Sequence, residues 1–357
     1  MKSTVHPEAN ALRLVFWETT AGCNLECVHC RRLDVAKEMM KDDLSTEEAF
    51  RLIDGVASVG RPILVLSGGE PLIRPDLFEI ARYAKEKGLT VSLATNGTLI
   101  DAAIAREIKA AGIKRAAVSL DGSKAETHDT FRRQLGSFHR ALEGIAFLRW
   151  VGVEVQINAT IARHNADELR RIYELAVSLG AVAFHVFMLV PVGCGLEIAD
   201  SQMLPAERYE KALNELYELS KEGKLHVKAT CAPHYYRIVR QRIKAEGRRL
   251  SFEKDGMAAM TKGCLAGTGV CFVSHKGEIF PCGYLPVVAG DVRKAPFDFI
   301  WHHSPVFWTL RAPDLLEGKC GACEYKMVCA GCRARAYAAT GDYLAEEPYC
   351  IYEPKRR

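Results

Sequence analysis

Three cysteines near the N-terminus, Cys23, Cys27 and Cys30, have residue types and spacing suited to redox chemistry. Three thiolates this close together can hold three irons of a four-iron cubane. Because no further cysteine lies nearby in the sequence, the fourth iron would keep open coordination sites. The spacing therefore predicts an iron–sulfur cluster at which one iron can bind and reduce a small molecule.

A glycine pair forms a second candidate binding feature. Gly68 and Gly69 precede Glu70 and Pro71, shortly after an apolar run at residues 62–66. Glycines let a ligand approach the backbone closely, and exposed N–H and C=O groups can then bind an amine or a carboxylate. An ordinary turn is the alternative for such a pair taken alone.

The C-terminal region is rich in cysteines at spacings typical of metal sites. Its eight thiols, in two sets of four, would fill two further four-iron clusters. Structural zinc is the alternative, because two cysteine pairs separated by two residues can form a four-thiolate site. The eight residues are Cys264, Cys271, Cys282, Cys320, Cys323, Cys329, Cys332 and Cys350.

Two cysteines remain and are candidates for the substrate pocket. Cys194 follows an apolar run at residues 183–190, and Cys231 is followed closely by His234, two tyrosines and Arg237. A stray cysteine is usually a small buried apolar residue, and that interpretation stays open for both. The chemical character of the neighbours makes Cys194, Cys231 and His234 the catalytic candidates.

Short apolar runs alternate with amphipathic stretches from residue 12 to about residue 190, which predicts repeated strand–helix units around a parallel sheet. Ser45 and Glu48 form a capping box before one helix, and glycines follow the ends of others. Six such repeats are typical of a partial (β/α) barrel, whose ligands lie at the carboxyl ends of the strands. The predicted strands are residues 12–17, 62–66, 90–94, 115–120, 154–160 and 183–190.

Composition restricts the class of protein. The 357 residues are 48% hydrophobic and 26% charged with a net charge of +4, which is typical of soluble globular proteins. Charges of both signs are interspersed, which argues against nucleic-acid binding, and no apolar run suits a membrane span or a signal peptide. The 13 cysteines are then expected to be metal thiolates in a reducing cytoplasm.

Changes in residue composition and pattern divide the chain into three parts. Residues 1–200 carry the strand–helix repeats, residues 201–262 form a helical bridge, and residues 263–357 are rich in Gly, Pro and Cys. The last part has too few long apolar runs to be held together by a core alone, which predicts a metal-stapled domain.

The cysteine triplet and the segment at residues 67–71 together resemble the radical S-adenosylmethionine (SAM) enzymes. The resemblance implies a partial (β/α)6 TIM-like barrel in which cluster-bound SAM is cleaved to a 5′-deoxyadenosyl radical. It also implies that Gly68, Gly69 and Glu70 receive the methionyl amino group. The remaining cofactor-binding positions implied by the resemblance are Asn96, Ser119, Arg132, Asn158 and Val190.

The C-terminal cysteines resemble the SPASM extension of this family, although two residues separate the last cysteines of the middle group where family members commonly have three. The resemblance implies three 4Fe–4S clusters in all. The implied ligands of the first auxiliary cluster are Cys264, Cys271, Cys282 and Cys332, with an open site for substrate in place of Cys271 as the alternative. Those of the second are Cys320, Cys323, Cys329 and Cys350.

From residue 12 to residue 350 the chain resembles the haem b synthase branch of the radical SAM/SPASM family, which serves the siroheme-dependent haem pathway. The resemblance rests on the segments at residues 14–20, 190–195, 230–233 and 332–338. It implies that two propionates of iron-coproporphyrin III are oxidatively decarboxylated to vinyl groups. A ferredoxin or flavodoxin would supply electrons, and an auxiliary cluster would accept the electron left when carbon dioxide departs.

Four propionates call for basic side chains, and the porphyrin iron could bind a neutral imidazole. The candidate imidazoles are His185 and His234. The candidate propionate partners are Arg31, Arg32, Arg237, Arg333 and Arg335. Each of these could instead be a surface charge or a hydrogen-bonded histidine.

Other activities stay open at this stage. Two sister tetrapyrrole enzymes, the didecarboxysiroheme deacetylase and the haem d1 side-chain enzyme, share the architecture. A peptide-modifying SPASM maturase is more distant, because many of those carry an N-terminal peptide-docking domain and none is expected before residue 12. A non-catalytic metal-binding or electron-carrier module would need neither the segment at residues 67–71 nor an open iron.

Overall fold

The fold of this chain, seen in a computed structural model, consists of a sheet with helices packed on one of its faces. The structure describes residues 11–31, 37–251, 253 and 262–355. Arg32, one of the predicted propionate partners, lies outside these residues. None of the helices in the described ranges is long and apolar enough to cross a bilayer.

The six predicted strands are present, close to their predicted bounds. Apolar residues alternate along them, so one face of the sheet can be buried against helices. The strands pair in parallel and in chain order, which brings their carboxyl ends to one edge. They are β1 (Leu14–Glu18), β2 (Ile63–Ser67), β3 (Thr90–Thr95), β4 (Arg115–Ser119), β5 (Glu154–Ile161) and β6 (Ala183–Met188).

Helices occupy the connections between these strands. The helices are α1 (Thr46–Val59), α2 (Leu77–Glu86), α3 (Ala102–Ala110), α4 (Ala125–Arg132), α5 (Ser137–Trp150), α6 (Leu169–Ser178), α7 (Ala199–Gln202), α8 (Ala206–Lys221) and α9 (His234–Ala245). The predicted capping box is confirmed, because Ser45 Oγ accepts from the Glu48 N–H and the Glu48 carboxylate accepts from the Ser45 N–H. Gly112 follows α3 with a φ of 78°, a conformation that glycine adopts without strain.

The predicted helical bridge contains a strand as well as helices. β7 (His226–Thr230) pairs in parallel with β6 and extends the sheet. The sequence signal was weak because the strand carries His226 and Lys228 on one face, which interrupts the apolar run. The domain boundaries themselves stay a prediction.

The cysteine-rich C-terminal region also adds to the sheet. β8 (Val270–Val273) pairs in parallel with β1, and β9 (Glu278–Phe280) and β10 (Gly290–Asp291) follow in antiparallel pairing. Over the described residues the sheet has ten strands in the order β10-β9-β8-β1-β2-β3-β4-β5-β6-β7. The C-terminal helices are α10 (Phe297–His303), α11 (Pro305–Leu310), α12 (Gly318–Ala322) and α13 (Arg333–Thr340). Because β1 pairs with β8 on one side and with β2 on the other, it is a central strand, and the loop that follows it begins in the middle of the sheet.

The main hydrophobic core lies between the sheet and the helices. Val118, Ile157 and Phe184 from neighbouring strands belong to it. Residues that alternate with these three lie on the opposite side of the sheet, which we call the inner face. The inner face carries polar residues, and it is the face on which a ligand can bind without displacing the core.

Candidate active site

The cysteine triplet lies in the loop after β1 (residues 19–31, the cysteine loop), at the carboxyl edge of the parallel strands. Cys23, Cys27 and Cys30 are each half-buried. The N–H of Leu25 donates to Cys23 Sγ over 3.4 Å, and burial raises the pKa of the Cys23 thiol to about 12. An isolated thiolate is costly at this place, whereas bound iron stabilises the thiolate form. The donor set therefore fits a metal cluster.

Gly68 and Gly69 hold the cysteine loop against the end of β2. The N–H of Gly69 donates to the Thr20 carbonyl over 3.0 Å, and the N–H of Glu70 donates to the Gly22 carbonyl over 2.8 Å. A Cβ on Gly69 would lie 2.2 Å from the Gly22 carbonyl oxygen, so the contact between the two backbones requires glycine. The sequence suggested that exposed N–H and C=O groups here bind the amine or carboxylate of a ligand. The cysteine loop uses the N–H groups of Gly69 and Glu70, and the binding of the methionyl amino group stays a prediction.

Glu70 is fully buried and positions the loop after β3. Its carboxylate accepts hydrogen bonds from Thr95 Oγ1 and the Asn96 N–H, each over 2.8 Å. Asn96 Nδ2 in turn donates to Asn24 Oδ1 in the cysteine loop over 2.8 Å. Burial raises the pKa of Glu70 to about 7, against the opposing effect of its hydrogen bonds. The loops after the first three strands thus form one hydrogen-bonded unit.

Arg132, at the end of α4, makes a buried ion pair with the loop after β4 and a hydrogen bond to the cysteine loop. Arg132 Nη2 lies 2.6 Å from Asp121 Oδ2, and Arg132 Nη1 donates to Cys27 Sγ over 3.6 Å. The resemblance implied that Arg132 contacts SAM, and the structure gives it these two protein partners. Sequence reasoning did not single out Asp121 by itself. Its place directly after β4 was the available signal.

Four side chains share one level of the inner face. They are register partners in successive strands: Ser119, Asn158, His185 and Lys228. All four are half-buried, and Gln156 Nε2 donates to Asn158 Oδ1 over 2.7 Å and contacts His185 Nδ1 at 2.9 Å. Burial lowers the pKa of Lys228 and the charge of the nearby Cys231 thiol opposes this effect, and within the described ranges the amine has no carboxylate partner. Sequence reasoning missed Lys228 because its strand was not predicted.

The segment after β6 contacts both the cysteine loop and the C-terminal region. The N–H of Cys194 donates to the Cys30 carbonyl over 2.8 Å. Val190 is buried in an apolar cluster with Leu285 and Cys332. The structure therefore brings Cys194 to the cysteine loop and packs Val190 against the C-terminal region.

Four C-terminal cysteines surround one cavity. The cavity is lined by Cys320, Cys323, Cys329 and Cys350. Backbone N–H groups donate to Cys320 Sγ and to Cys323 Sγ, each over 3.4 Å. Hydrogen bonds to the sulfur atoms help set the reduction potential of an iron–sulfur cluster. The structure thus brings together the residues predicted for the second auxiliary cluster.

Of the cysteines predicted for the first auxiliary cluster, the structure brings three together and separates the fourth. Cys282 and Cys332 pack in one cluster, and burial followed by the charge of Cys264 raises the pKa of Cys282 to about 12. Cys271 instead lies on β8 opposite Val15, with its side chain in the main core. Because side chains alternate along a strand, β8 directs Cys271 away from the inner face.

His234 is enclosed in a buried charged network. Its Nε2 contacts the Glu347 carboxylate, which also accepts a hydrogen bond from Arg335 Nε over 3.0 Å. Burial opposes protonation of His234, but Glu347 and Cys350 outweigh it and raise the pKa to about 9. The structure therefore disfavours His234 as a neutral ligand of a porphyrin iron.

The predicted propionate partners that are described have contacts within the protein. These contacts are Arg31 to Glu18 (2.5 Å), Arg237 to Glu210 (2.6 Å), Arg333 to the Ala345 carbonyl (2.7 Å) and Arg335 to Glu347 (3.0 Å). A guanidinium has five N–H donors, so these contacts do not by themselves prevent an arginine from binding a propionate as well. The role of these arginines as propionate partners stays a prediction.

Single-ion sites provide a test of the zinc alternative. In the part of the chain that the structure describes, no three Cys, His, Asp or Glu side chains converge closely enough to hold one metal ion. Thiols around a cubane stay further apart than thiols that share one ion, because iron and sulfide atoms lie between them. The choice between zinc and iron–sulfur clusters therefore rests on the family to which the chain belongs.

Comparison with known proteins shows the family to which the chain belongs. The radical SAM superfamily profile matches residues 17–176, and the SPASM iron–sulfur cluster-binding domain matches residues 264–333. The AdoMet-dependent heme synthase of Methanosarcina barkeri is 57% identical over 348 residues, which are 98% of this chain and 99% of that protein. The chain belongs to the radical SAM/SPASM family. It is accordingly a radical SAM enzyme.

Two further relatives and one solved structure are also similar to this chain. The AdoMet-dependent heme synthase of Oleidesulfovibrio alaskensis is 46% identical over 100% of this chain and 92% of its own length. The Fe-coproporphyrin III synthase of Methanosarcina barkeri is 32% identical over 94% of this chain and 87% of its own length. Crystalline Streptococcus suis SuiB bound to its precursor peptide SuiA shares the fold, with a TM-score of 0.76 at 14% identity over 97% of this chain and 77% of SuiB.

Proposed function

We propose that this radical SAM enzyme is a haem b synthase, which oxidatively decarboxylates two propionates of iron-coproporphyrin III to vinyl groups. The observation that carries the proposal is the high identity to an AdoMet-dependent heme synthase across nearly the whole chain, both cysteine regions included. The Fe-coproporphyrin III synthase of Methanosarcina barkeri, the organism that also supplies this heme synthase, is much less similar to the chain. The difference favours haem formation over the sister tetrapyrrole reactions.

The residues around the cysteine loop position the cofactor in this proposal. With a 4Fe–4S cluster on Cys23, Cys27 and Cys30 and SAM on its open iron, the site would supply a 5′-deoxyadenosyl radical that removes a hydrogen atom from a propionate β-carbon. Glu70 fixes the surrounding loops through its hydrogen bonds to the β3 end. Arg132 holds the Cys27 thiol and counters its negative charge.

The inner face offers a place for the anionic substrate. Lys228 has no carboxylate partner among the described residues, although the Cys231 thiol acts on its charge, and its register partner is His185. A lysine ammonium is a compact point charge suited to a carboxylate. Because Ser119 and Asn158 continue the same row toward the cofactor side, we place a propionate that is not decarboxylated at Lys228.

We further propose three 4Fe–4S clusters, a reducing donor such as ferredoxin or flavodoxin, and a cytoplasmic location. Each decarboxylation releases carbon dioxide and leaves one electron, which requires an acceptor other than the substrate. Two cysteine-rich sites in addition to the cysteine loop support the cluster number. Reconstituted protein should then contain about twelve irons per chain, and a content of about four would contradict the assignment.

Anaerobic incubation with SAM, dithionite and iron-coproporphyrin III tests the reaction. The porphyrin should lose mass equal to two formic acid equivalents, and 5′-deoxyadenosine should accumulate with it. Formation of 5′-deoxyadenosine without any change in the porphyrin would contradict haem synthesis. In that case a sister tetrapyrrole or a peptide substrate would be tested next.

A further inference from the structure

Cys231 occupies an unusual backbone position at the carboxyl end of β7. It follows Thr230, the last residue of the strand, and has a φ of 56°. Residues other than glycine adopt this left-handed conformation rarely and at a cost. Such strain persists where surrounding contacts fix the conformation, and it is common at binding sites. The strain at Cys231 therefore calls for an explanation beyond packing.

One set of hydrogen bonds ties this backbone to the C-terminal domain. The Tyr209 hydroxyl donates to the Cys231 carbonyl over 3.1 Å and accepts from Arg335 Nη2 over 2.6 Å. Arg335 lies in the first turn of α13, whose N-cap residue is Cys332. Tyr209 thus links the end of β7 to the segment that carries Cys332.

A backbone contact brings Cys264 to the same place. Gly263 packs so closely against Pro233 that a Cβ on Gly263 would lie 2.7 Å from Pro233 Cα. Cys264 follows Gly263 directly, and its N–H donates to the Cys329 carbonyl over 3.1 Å. The chain segments that carry Cys231 and Cys264 are therefore in direct contact.

Packing and electrostatics gather the same thiols. Cys231 and Cys282 pack against the apolar cluster that contains Cys332. Burial raises the pKa of the Cys231 thiol most, and the charges of Cys332, Cys282 and Cys264 raise it further. For Cys271, by contrast, burial raises the pKa and the neighbouring charge is that of Arg311.

We propose that the first auxiliary 4Fe–4S cluster is held by Cys231, Cys264, Cys282 and Cys332, and that Cys271 is a core residue of the sheet. The inference rests on the proposed three-cluster function and names a ligand of one cluster. All four irons then carry protein thiolates, so this cluster has no open iron for substrate. Since Cys231 follows β7 at the carboxyl edge, the cluster lies on the substrate side of the sheet, where it can accept an electron.

The iron and sulfide content of two matched variants tests this assignment. Cys231→Ala and Cys271→Ala each remove one thiol, and both proteins are reconstituted anaerobically in parallel with the unmodified protein. Cys271→Ala should retain about twelve irons per chain, and Cys231→Ala should fall to about eight. After reduction by dithionite without SAM, the electron paramagnetic resonance spectrum of Cys231→Ala should lose one cluster signal.

Misfolding is controlled by circular dichroism and by Cys231→Gly, which relieves the left-handed strain and should still lose the cluster. Unchanged iron content and spectrum in Cys231→Ala would overturn the proposal, and so would loss of a cluster from a folded Cys271→Ala protein. The haem assay is independent of these readouts. An unmodified protein with about twelve irons that forms no haem would contradict the proposed function and leave the ligand assignment standing.

Discussion

Replacing Asp121 by asparagine should destabilise the protein by about 3 to 5 kcal/mol, because the Arg132 guanidinium would become an unpaired buried charge. The side chains of Asp121 and Arg132 are 0% and 10% exposed, and Arg132 Nη2 lies 2.6 Å from the carboxylate. Asparagine keeps an acceptor for the Thr160 N–H, which donates to Asp121 Oδ1 over 2.7 Å. The substitution therefore removes the negative charge and little else.

The pKa of Asp121 gives an independent magnitude. Burial raises this pKa, but Arg132 and His29 outweigh burial and hold it at about 2, below the ordinary value of 3.8. A shift of this size corresponds to about 2 kcal/mol of stability. Because the pKa is lower in the folded state, this contribution is present above pH 3.8 and is lost as the pH falls toward 2. The unpaired buried charge and the lowered pKa of Asp121 both predict a loss of folding stability, and the two losses have the same order of magnitude.

Urea unfolding of the cluster-free protein under anaerobic conditions measures the loss. The matched control is Asp167→Asn: Asp167 lies 2.7 Å from Arg208, but the two side chains are 84% and 47% exposed. Exposed pairs contribute about 0.2 to 1 kcal/mol. A double variant, Asp121→Asn with Arg132→Met, should recover part of the loss because it also removes the buried cation. An Asp121→Asn protein as stable as Asp167→Asn would refute the reasoning.

Three further substitutions have defined outcomes. Gly69→Ala should displace the cysteine loop, since its Cβ would lie 2.2 Å from the Gly22 carbonyl oxygen, and SAM cleavage measured as 5′-deoxyadenosine should fall about 100-fold. Lys228→Met should raise the KM for iron-coproporphyrin III about tenfold without changing SAM cleavage, because one charge-assisted hydrogen bond to a propionate is lost. Glu48→Gln should remove an acid-sensitive part of the stability, because Arg293 and Ser45 hold the pKa of Glu48 at about 2. The unmodified protein loses this contribution as the pH falls from 4.5 toward 2, which denaturation midpoints near pH 6 and pH 3 would show.

Each of these substitutions has a matched control. Gly60→Ala adds a Cβ with no atom within 4 Å, and Lys224→Met and Glu107→Gln alter exposed side chains. All three controls should behave as the unmodified protein does. Unchanged 5′-deoxyadenosine formation in Gly69→Ala, an unchanged KM in Lys228→Met, or equal acid sensitivity with and without Glu48 would contradict the corresponding argument.

Local patterns predicted most of the barrel. Apolar runs marked β1 to β6, and the capping box at Ser45 and Glu48 marked the start of α1. These features depend on residues within a few positions of one another, so the sequence carries them directly. β7 was missed because His226 and Lys228 interrupt its apolar run, and β8 was missed because it has four residues and pairs with β1, a segment far away in the chain.

The sequence by itself predicted a cluster with an open iron, because the cysteine triplet and the glycine pair are contiguous motifs whose spacing limits what they can bind. Tertiary structure alone decided which distant groups meet. It paired Asp121 with Arg132, set Lys228 on the inner face, and gathered Cys231 with three C-terminal cysteines while leaving Cys271 in the core. The physical reason is that strand register and sheet order, not spacing along the chain, fix which side chains share a face and a level.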